Sequence, residues 1–387
     1  MNTPTYLDYG ATTPIDRRVL SVMLPHLEST FGNPSSLHYW GQQAERVLDE
    51  SRQTMAELMG ALPSEIIFTS CGSESDNLAL RGGALARREA AGCNRILISP
   101  IEHPAISNTA AQLAAQNGFV IETLPVDSTG RILLEEMKIR LGADVALVSV
   151  MAANNEIGTL NPIPEIGSLC REHQIPFHSD AVQYGAHFPV DVSNLPVDMV
   201  SLGAHKFYGP KGIGALYVRS GTPLVPVQTG GSQEFGLRAA TENVPLIAGM
   251  AKAFQLVQEE GSQRIQHLVP LRDKMIRDVL KNIPGSRLTG ADPDSRLPNH
   301  ASFVFEGLDG NLLIQVLDSE GYACSSGSAC KTGDPKPSSV LTHLGYTPDW
   351  ALGSLRVTLG KDTTRKAVSR FLEILPGCVQ RVREADQ

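Results

Sequence analysis

The sequence is poor in the features that mark proteins bound to nucleic acids or membranes. Lys and Arg number 33 against 41 Asp and Glu, which gives a formal net charge of -8, so a clustered basic surface for nucleic acid or anionic lipid is not indicated. No run approaches the roughly 20 apolar residues of a membrane-spanning helix, and residues 1–14 have neither the basic nor the apolar region of a secretory signal. We expect a cytoplasmic protein that acts on small molecules.

The cysteines form no CxxC pair. They occupy six positions: Cys71, Cys93, Cys170, Cys324, Cys330 and Cys378. In a chain of this length the spacing indicates neither a disulfide framework nor a zinc site, and we predict no bound metal. Isolated cysteines are most often small buried residues, so a reactive one has to be recognised from its neighbours.

The sequence does contain a regular alternation of short apolar runs and helical patterns. The runs are EIIFTS, RILISP, FVIETLPV, ADVALVSVM, IPFHSD, DMVSLGA and GIGALYVR. Each is bounded by glycine, proline or polar residues, which is typical of an α/β fold with a mainly parallel sheet buried on both faces.

The last third of the chain has a different pattern. A long helical segment extends beyond about residue 255, and the strand-like ASFVFEGL and SLRVTLG then stand on either side of a helix around NLLIQVLDSEG. This indicates a smaller α+β domain, and the length exceeds what one hydrophobic core usually supports. We predict a large domain of residues 16–258 and a small domain of residues 1–15 plus 259–387.

Polar residues follow several of the predicted strands at the point where each strand ends. Asp180 closes IPFHSD, Asn155 follows ADVALVSVM, Lys206 follows DMVSLGA, and His103 follows RILISP. Because ligands of α/β sheets gather at the carboxyl ends of the strands, we expect these residues to converge on one edge.

The stretch FTSCGSESDN indicates a strand that turns into a helix. Ser73 with Asp76 three positions later is similar to a capping box, and the free backbone N–H groups of a helix start attract phosphate. A capped helix without a ligand fits the same motif, so both alternatives remain open here.

Asp180 and Lys206 each have one structural and one chemical interpretation. Asp180 is a helix cap or a buried carboxylate that needs a cationic partner, such as a protonated ring nitrogen. Lys206 extends past a strand end or forms a Schiff base with a carbonyl cofactor. With the helix start, they match what pyridoxal phosphate requires: an amine for its aldehyde, an acid for its pyridinium and a site for its phosphate.

Cys330 lies in SSGSACKTG, among small residues and next to Lys331. The composition is that of a flexible loop, and the neighbouring cation favours the thiolate. Cys330 is therefore either a nucleophile on a mobile segment or an incidental loop thiol, whereas Cys324 is expected to pack as a small buried residue.

The chain closely resembles the pyridoxal-phosphate-dependent cysteine desulfurases of the class V aminotransferase superfamily, in the subgroup that carries SSGSAC. The matching segments run nearly end to end: YLDYGATTP, FGNPSSLH, FTSCGSESDN, EHPAI, NNEIGT, FHSDAVQ, AHKFYGPKGIGALY, GGSQEFGLRAAT, SSGSACKTG and LRVTLG. The resemblance implies an aminotransferase-like fold of type I, with a large cofactor domain and a smaller domain that carries the cysteine loop.

The resemblance also implies roles at the cofactor. Lys206 would bond its aldehyde, His205 would contact its phosphate, and His103 would stack on its ring and take part in proton transfer. Asp180 would keep the ring nitrogen protonated, and Gln183 would bond the phenolic oxygen.

Phosphate and cofactor contacts would also come from Gly72, Ser73 and Asn155. Thr241 would reach the phosphate from a neighbouring protomer, which implies a homodimer.

The substrate would be L-cysteine. Arg356, Asn155 and Asn33 would hold its carboxylate, which suits an arginine fork. The Cys330 thiolate would attack the substrate sulfur to give an enzyme persulfide and alanine. The sulfur would then pass to an acceptor protein, such as an iron–sulfur scaffold or a thiolation partner.

Some positions depart from the usual pattern of that family. Cys71 replaces a glycine, Ser73 a threonine and Gly203 a serine, and SLGKDTT lacks an arginine often found after LG. None of these changes removes a reacting group. A selenocysteine lyase or another class V enzyme acting on a small amino acid shares the cofactor residues, and only the SSGSAC segment argues against it.

Overall fold

The computed structural model describes residues 4–327 and 336–385. Their helices are α1 (Arg17–Glu28), α2 (Tyr39–Met59), α3 (Gly72–Asn77), α4 (Gly83–Ala91), α5 (Pro104–Asn117), α6 (Leu134–Arg140), α7 (Ile163–Glu172), α8 (Val244–Asn282), α9 (Gly310–Ser319), α10 (Ser339–His343), α11 (Pro348–Ala351) and α12 (Arg365–Ala385). Their strands are β1 (Thr5–Tyr6), β2 (Ile66–Thr69), β3 (Arg95–Ile98), β4 (Val120–Thr123), β5 (Val145–Ser149), β6 (Phe177–Asp180), β7 (Met199–Gly203), β8 (Gly214–Val218), β9 (Ser286–Leu288), β10 (His300–Phe305), β11 (Tyr322–Ala323) and β12 (Ser354–Thr358).

A seven-stranded sheet forms the centre of the larger part of the molecule. Its order is β2-β8-β7-β6-β5-β3-β4, and each predicted apolar run supplies one strand. The pairs from β7 to β4 are parallel, whereas β8 is antiparallel to both of its neighbours. All residues of β2, β5, β6, β7 and β8 are buried, as expected for strands covered on both faces. The predicted fold class is confirmed.

The smaller part has an antiparallel sheet of order β12-β10-β9. A second hydrophobic core joins this sheet to α9, α12 and the later turns of α8, and it includes Leu7 from the N-terminal segment. The N-terminal β1 pairs in parallel with β11. The N-terminal residues thus pack with the C-terminal third of the chain.

Helix α8 connects the two cores without a break. Its residue Val257 belongs to the core under the large sheet, and Leu268 belongs to the second core. The predicted boundary at residue 258 falls inside this helix and stays a prediction. No helix in the described ranges combines the length and the apolarity needed to cross a bilayer.

Candidate active site

A cavity of about 320 Å³ lies at the carboxyl edge of the parallel strands, between the sheet and β12. Its lining residues are Gly10, Ala11, Cys71, Gly72, Ser73, Asp76, His103, Met151, Asn155, Asp180, Val182, Gln183, His205, Lys206 and Arg356. Nine of these are predicted site residues. Four were expected here because strand ends of a parallel sheet meet at one edge: His103, Asn155, Asp180 and Lys206. Gly72 and Ser73 were expected at a helix start, and Gln183, His205 and Arg356 were implied by the family resemblance.

Lys206 follows β7 in a short 3₁₀ turn and points its amine at the N-terminal segment. Its Nζ donates to the carbonyl oxygens of Gly10 and Ala11, both at 2.7 Å. Burial, reinforced by the positive charge of Arg356, lowers the pKa of Lys206 to about 8, although Asp180 and Asp8 oppose the shift. The amine therefore loses its proton far more readily than that of a surface lysine.

Asp180 is the last residue of β6 and is buried. Its Oδ1 accepts a hydrogen bond from the backbone N–H of Val182 at 2.9 Å, so the carboxylate holds the turn that follows the strand. Burial raises the pKa of Asp180, and the positive charges of His103 and Lys206 counteract this in part. A cation placed beside this carboxylate would stabilise its ionised form.

Two further buried acids lie near Asp180. The sequence analysis considered Asp76 only as a helix-cap residue and did not consider Glu102. Asp76 Oδ1 is buried without a hydrogen-bond partner. Burial, together with the charge of Asp180, raises the pKa of Asp76 well above its usual range. Glu102 accepts from the N–H of Met151 at 2.8 Å, and burial raises its pKa as well. Burial and the charge of Asp180 hold both acids toward the protonated form.

A buried histidine supports this part of the site. The ring of His178 is hydrogen-bonded to the hydroxyls of Ser149 and Ser201, both at 2.9 Å. Burial lowers the pKa of His178 to about 3, so the ring is neutral. Its Nε2 lies 3.7 Å from Asp76 Oδ1.

The predicted capping box is wrong. Cys71 is the N-cap of α3, in an extended conformation and without a side-chain cap bond, so Ser73 lies inside the first turn. Asp76 is buried, and Glu74 instead reaches back to accept from the N–H of Ser70 at 2.6 Å. A Ser–Asp spacing of three can occur at any position along a helix, so the spacing alone does not locate the N-cap.

The helix start nevertheless faces the cavity. The N–H of Ser75 donates to Cys71 O at 3.1 Å, so the amides of residues 72–74 precede the first helical hydrogen bond, where anions are favoured. A Cβ added at Gly72 would lie 2.6 Å from Cγ2 of Val182. Glycine thus allows the helix start to approach the end of β6.

Three more of the predicted residues complete the cavity wall. His103 is the N-cap of α5, its Nδ1 accepts from Ala105 N at 3.1 Å, and burial lowers its pKa. Gln183 Nε2 donates to Gly10 O at 2.9 Å. Burial, together with nearby lysines, lowers the pKa of His205 to about 4, so its ring is neutral.

Arg356 enters the cavity from β12. Its Nη1 donates to the backbone oxygen of Asn155 at 3.1 Å, and its Nη2 forms an ion pair with Asp8 at 2.8 Å. The sequence analysis did not single out Asp8. The only signal for it was its place in YLDYGATTP, because 348 residues separate the two partners in the chain.

Two of the predicted site residues do not line this cavity. Asn33 is exposed, and its Oδ1 accepts from Ser35 N at 3.0 Å. Thr241 is exposed as well. Cys330 lies outside the described residues. Cys324 packs partly buried against the second core, and burial raises the pKa of its thiol.

Comparisons with known proteins agree on one group of relatives. The aminotransferase class-V family profile matches residues 5–371. A protein of Methanosarcina thermophila described as cysteine desulfurase IscS is 43% identical over 382 residues, which cover 99% of this chain and 93% of the relative. A solved structure described as a NifS-like protein has a TM-score of 0.90 and 35% identity, and the match covers 98% of this chain and all of that one.

A second solved structure is a complex with cysteine. It is described as SspA in complex with cysteine, with a TM-score of 0.79 and 33% identity, and the match covers 93% of this chain and 100% of that one.

Proposed function

The chain belongs to the aminotransferase class-V family, and from this we infer that it is a pyridoxal-phosphate-dependent cysteine desulfurase, which converts L-cysteine to L-alanine and retains the sulfur. The observation that carries the inference is the convergence of Lys206, Asp180 and Arg356 on one cavity. An amine of lowered pKa, a buried acid and a carboxylate-binding cation are the groups that this reaction needs.

The residues present fit the cofactor. The unpartnered Asp76 Oδ1 marks a wall with unused hydrogen-bonding capacity, and the amides of residues 72–74 suit a phosphate. We propose that Lys206 bonds the aldehyde of the cofactor and that Asp180 interacts with its ring nitrogen. His103 would stack on the face of the ring.

The remaining cofactor contacts are proposed on the same basis. Gln183 suits the phenolic oxygen, and His205, Gly72 and Ser73 suit the phosphate. Pyridoxal phosphate, when bound, withdraws electrons from the α-carbon of an amino acid, which weakens the bonds to the α-proton and to the side chain.

The protein's own groups supply binding and proton transfer. Arg356, with Asn155, binds the α-carboxylate of L-cysteine and thereby sets the orientation of the α-carbon. Lys206 accepts a proton when its amine is neutral, which its lowered pKa permits near neutral pH. His103 lies on the same edge and is largely neutral at that pH, so it is suited to proton exchange with the substrate thiol.

Cys330 is proposed as the sulfur acceptor. Its thiolate attacks the substrate sulfur, an S–S bond forms as the C–S bond breaks, and the electron pair of the C–S bond passes to the carbon fragment. That fragment takes up a proton and leaves as alanine. The persulfide then passes its outer sulfur to an acceptor protein, such as an iron–sulfur scaffold or a thiolation partner.

We also propose a homodimer. Thr241 and Asn33 are exposed and do not line the cavity of their own chain, which fits residues that act across an interface. Near Asn33 an exposed group of large apolar side chains is available for contact with a second copy. Its members are Phe31, Leu37, Tyr39 and Trp40, with 51–92% of their surface exposed.

The test is the stoichiometry of products from L-cysteine. Cofactor-loaded protein, given L-cysteine and a reducing thiol, is expected to form alanine and sulfide in equal amounts, and Cys330→Ala is expected to form neither at the wild-type rate. Protein that binds the cofactor but forms no alanine would contradict the desulfurase function. Turnover of selenocysteine alone would favour the lyase instead.

A further inference from the structure

Asp8 makes two polar contacts through its two carboxylate oxygens. Oδ1 accepts from Nη2 of Arg356 at 2.8 Å, and Oδ2 accepts from the hydroxyl of Ser325 at 2.8 Å. The side chains of Asp8 and Arg356 are only 15% and 11% exposed, so solvent screens this pair little. One carboxylate thus connects the arginine of the cavity to Ser325.

Backbone contacts hold these three residues together. Asp8 lies beside β12 in a bridge to Thr358. Ser325 pairs with Arg356 on the same edge of β12, since Ser325 N donates to Arg356 O at 3.2 Å and Arg356 N donates to Ser325 O at 2.7 Å. The backbone therefore fixes the spacing, while the Asp8–Arg356 and Asp8–Ser325 contacts depend on side chains that can change partners.

Ser325 lies close in the sequence to the proposed nucleophile, Cys330. Ser325 begins SSGSAC, five residues before Cys330. Two residues after Ser325, the N–H of Gly327 donates to Ser354 Oγ at 2.9 Å, so this end of the segment is anchored on β12. A change in the hydrogen bonding of Ser325 would therefore act at the end of SSGSAC that is held on β12, five residues before Cys330.

A substrate carboxylate bound at Arg356 would change the bonding of Asp8. Among the described residues, the buried Nε of Arg356 has no partner, and the other nitrogens of its guanidinium contact Asn155 O and Asp8. A second carboxylate at this guanidinium competes with Asp8, because two like charges close to one cation repel each other. If the Asp8–Arg356 pair weakened, Ser325 would become the main hydrogen-bond partner of Asp8.

We propose that Asp8 is a positioning residue that couples binding of the substrate α-carboxylate at Arg356 to the placement of Ser325. This inference rests on the proposed function, since it takes Arg356 as the carboxylate site. If Asp8 served only to fix the N-terminal segment on β12, removing its charge would lower stability but would leave no link between Arg356 and Ser325.

The experiment measures that link in the cofactor-loaded enzyme. The rate of Cys330 alkylation by iodoacetamide is followed by peptide mass, with and without saturating L-alanine, the product that carries the carboxylate. Alaninamide, which lacks the carboxylate, is the matched ligand. We expect L-alanine to change the wild-type rate at least threefold, and alaninamide to leave it unchanged.

Variants distinguish coupling through Asp8 from direct shielding of Cys330 by bound L-alanine. In Asp8→Asn and in Ser325→Ala, the ratio of the Cys330 alkylation rates with and without L-alanine is expected to be close to one. Asp8→Asn should also bind L-alanine at least threefold more tightly, measured by the absorbance change of the cofactor, because it removes the competing charge. Asp144→Asn, which removes an acid paired with Arg95 at 2.9 Å outside the cavity, should retain the wild-type ratio.

Results that contradict the coupling through Asp8 can be distinguished from results that contradict the proposed desulfurase function. A wild-type enzyme that forms alanine from L-cysteine but shows a ratio of one overturns the coupling, as does an unchanged ratio in both Asp8→Asn and Ser325→Ala. If Asp8→Asn does not fold, Ser325→Ala alone decides. A wild-type enzyme that neither binds L-alanine nor forms it overturns the proposed function itself.

Discussion

At the scale of single residues, burial sets the chemistry of the Lys206 amine. With its pKa lowered to about 8 by burial and by Arg356, the neutral fraction rises between about pH 7 and 9, whereas a surface lysine is neutral only above about pH 10. The rate constant for uptake of pyridoxal phosphate by cofactor-depleted protein is therefore expected to rise through pH 8 and then level off. Stopped-flow absorbance at a series of pH values measures this constant.

A second lysine, Lys211, in the loop that follows Lys206, is the control. Lys206→Ala is expected to abolish covalent attachment of the cofactor at every pH, whereas Lys211→Ala, which changes an exposed lysine five residues later, should keep the profile within a few tenths of a pH unit. A midpoint near pH 10 in the wild type would mean that Lys206 is solvated before the cofactor binds.

The two buried aspartates of the cavity are expected to respond differently to amidation. Asp180→Asn keeps an oxygen for the N–H of Val182 but removes the charge that would support a protonated ring nitrogen, so kcat should fall by about 100-fold or more. Burial and the charge of Asp180 raise the pKa of Asp76 well above its usual range, which favours its protonated form, so Asp76→Asn is the milder change and should alter kcat by less than about tenfold. Alanine formation at saturating L-cysteine gives both values, and equal losses would contradict the assignment.

At the scale of the elements, a buried ion pair connects α2 and β2 to the segment before Thr241. Arg52 on α2 donates to both oxygens of Glu234, at 2.8 and 2.7 Å, and Glu234 also accepts from the N–H of Phe68 on β2 at 2.8 Å. Both charged side chains are more than nine-tenths buried. Removing one partner would leave the other charge buried and unpaired.

Glu234→Ala is accordingly expected to lower the free energy of unfolding by about 3–5 kcal/mol. The matched control is Glu136→Ala, because Glu136 pairs with Arg140 on an exposed face of α6 and such a pair contributes less than about 1 kcal/mol. Urea unfolding followed by circular dichroism measures both. A loss below 1 kcal/mol for Glu234→Ala would mean that water reaches Arg52 once the glutamate is gone.

The same elements show how far sequence reasoning reaches. The seven strands were predicted because buried parallel strands are continuous apolar runs, and their ends brought Asp180, His103 and Lys206 to one edge. The antiparallel direction of β8 was not predicted, because an apolar run such as GIGALYVR does not indicate whether the strand is parallel or antiparallel to its neighbours. Asp8 was missed as the partner of Arg356 because their contact depends on the packing of the N-terminal segment beside β12, which no local pattern encodes.

At the scale of the whole molecule, the position of Thr241 bears on how many chains build one site. Thr241 is exposed and absent from the cavity lining of its own chain, although the resemblance to cysteine desulfurases assigns it to the cofactor phosphate. The exposed aromatic side chains Phe31, Tyr39 and Trp40, whose rings lie 5.7 to 6.4 Å apart in neighbouring pairs, offer an apolar surface for a second copy. A dimer that places Thr241 of one chain at Lys206 of the other reconciles these observations.

Mixed dimers test this arrangement. Lys206→Ala and Thr241→Ala chains, each with a different affinity tag, are co-expressed, and the heterodimer is purified over both tags. If Thr241 acts across the interface, one site of the heterodimer combines the intact Lys206 of one chain with the intact Thr241 of the other, and alanine formation should recover to about half of the wild-type rate per dimer. If Thr241 acts within its own chain, each site carries one substitution, and the rate should equal the mean of the two mutant homodimers. Recovery above that mean thus requires a shared site, because only the pairing of chains differs between the two cases.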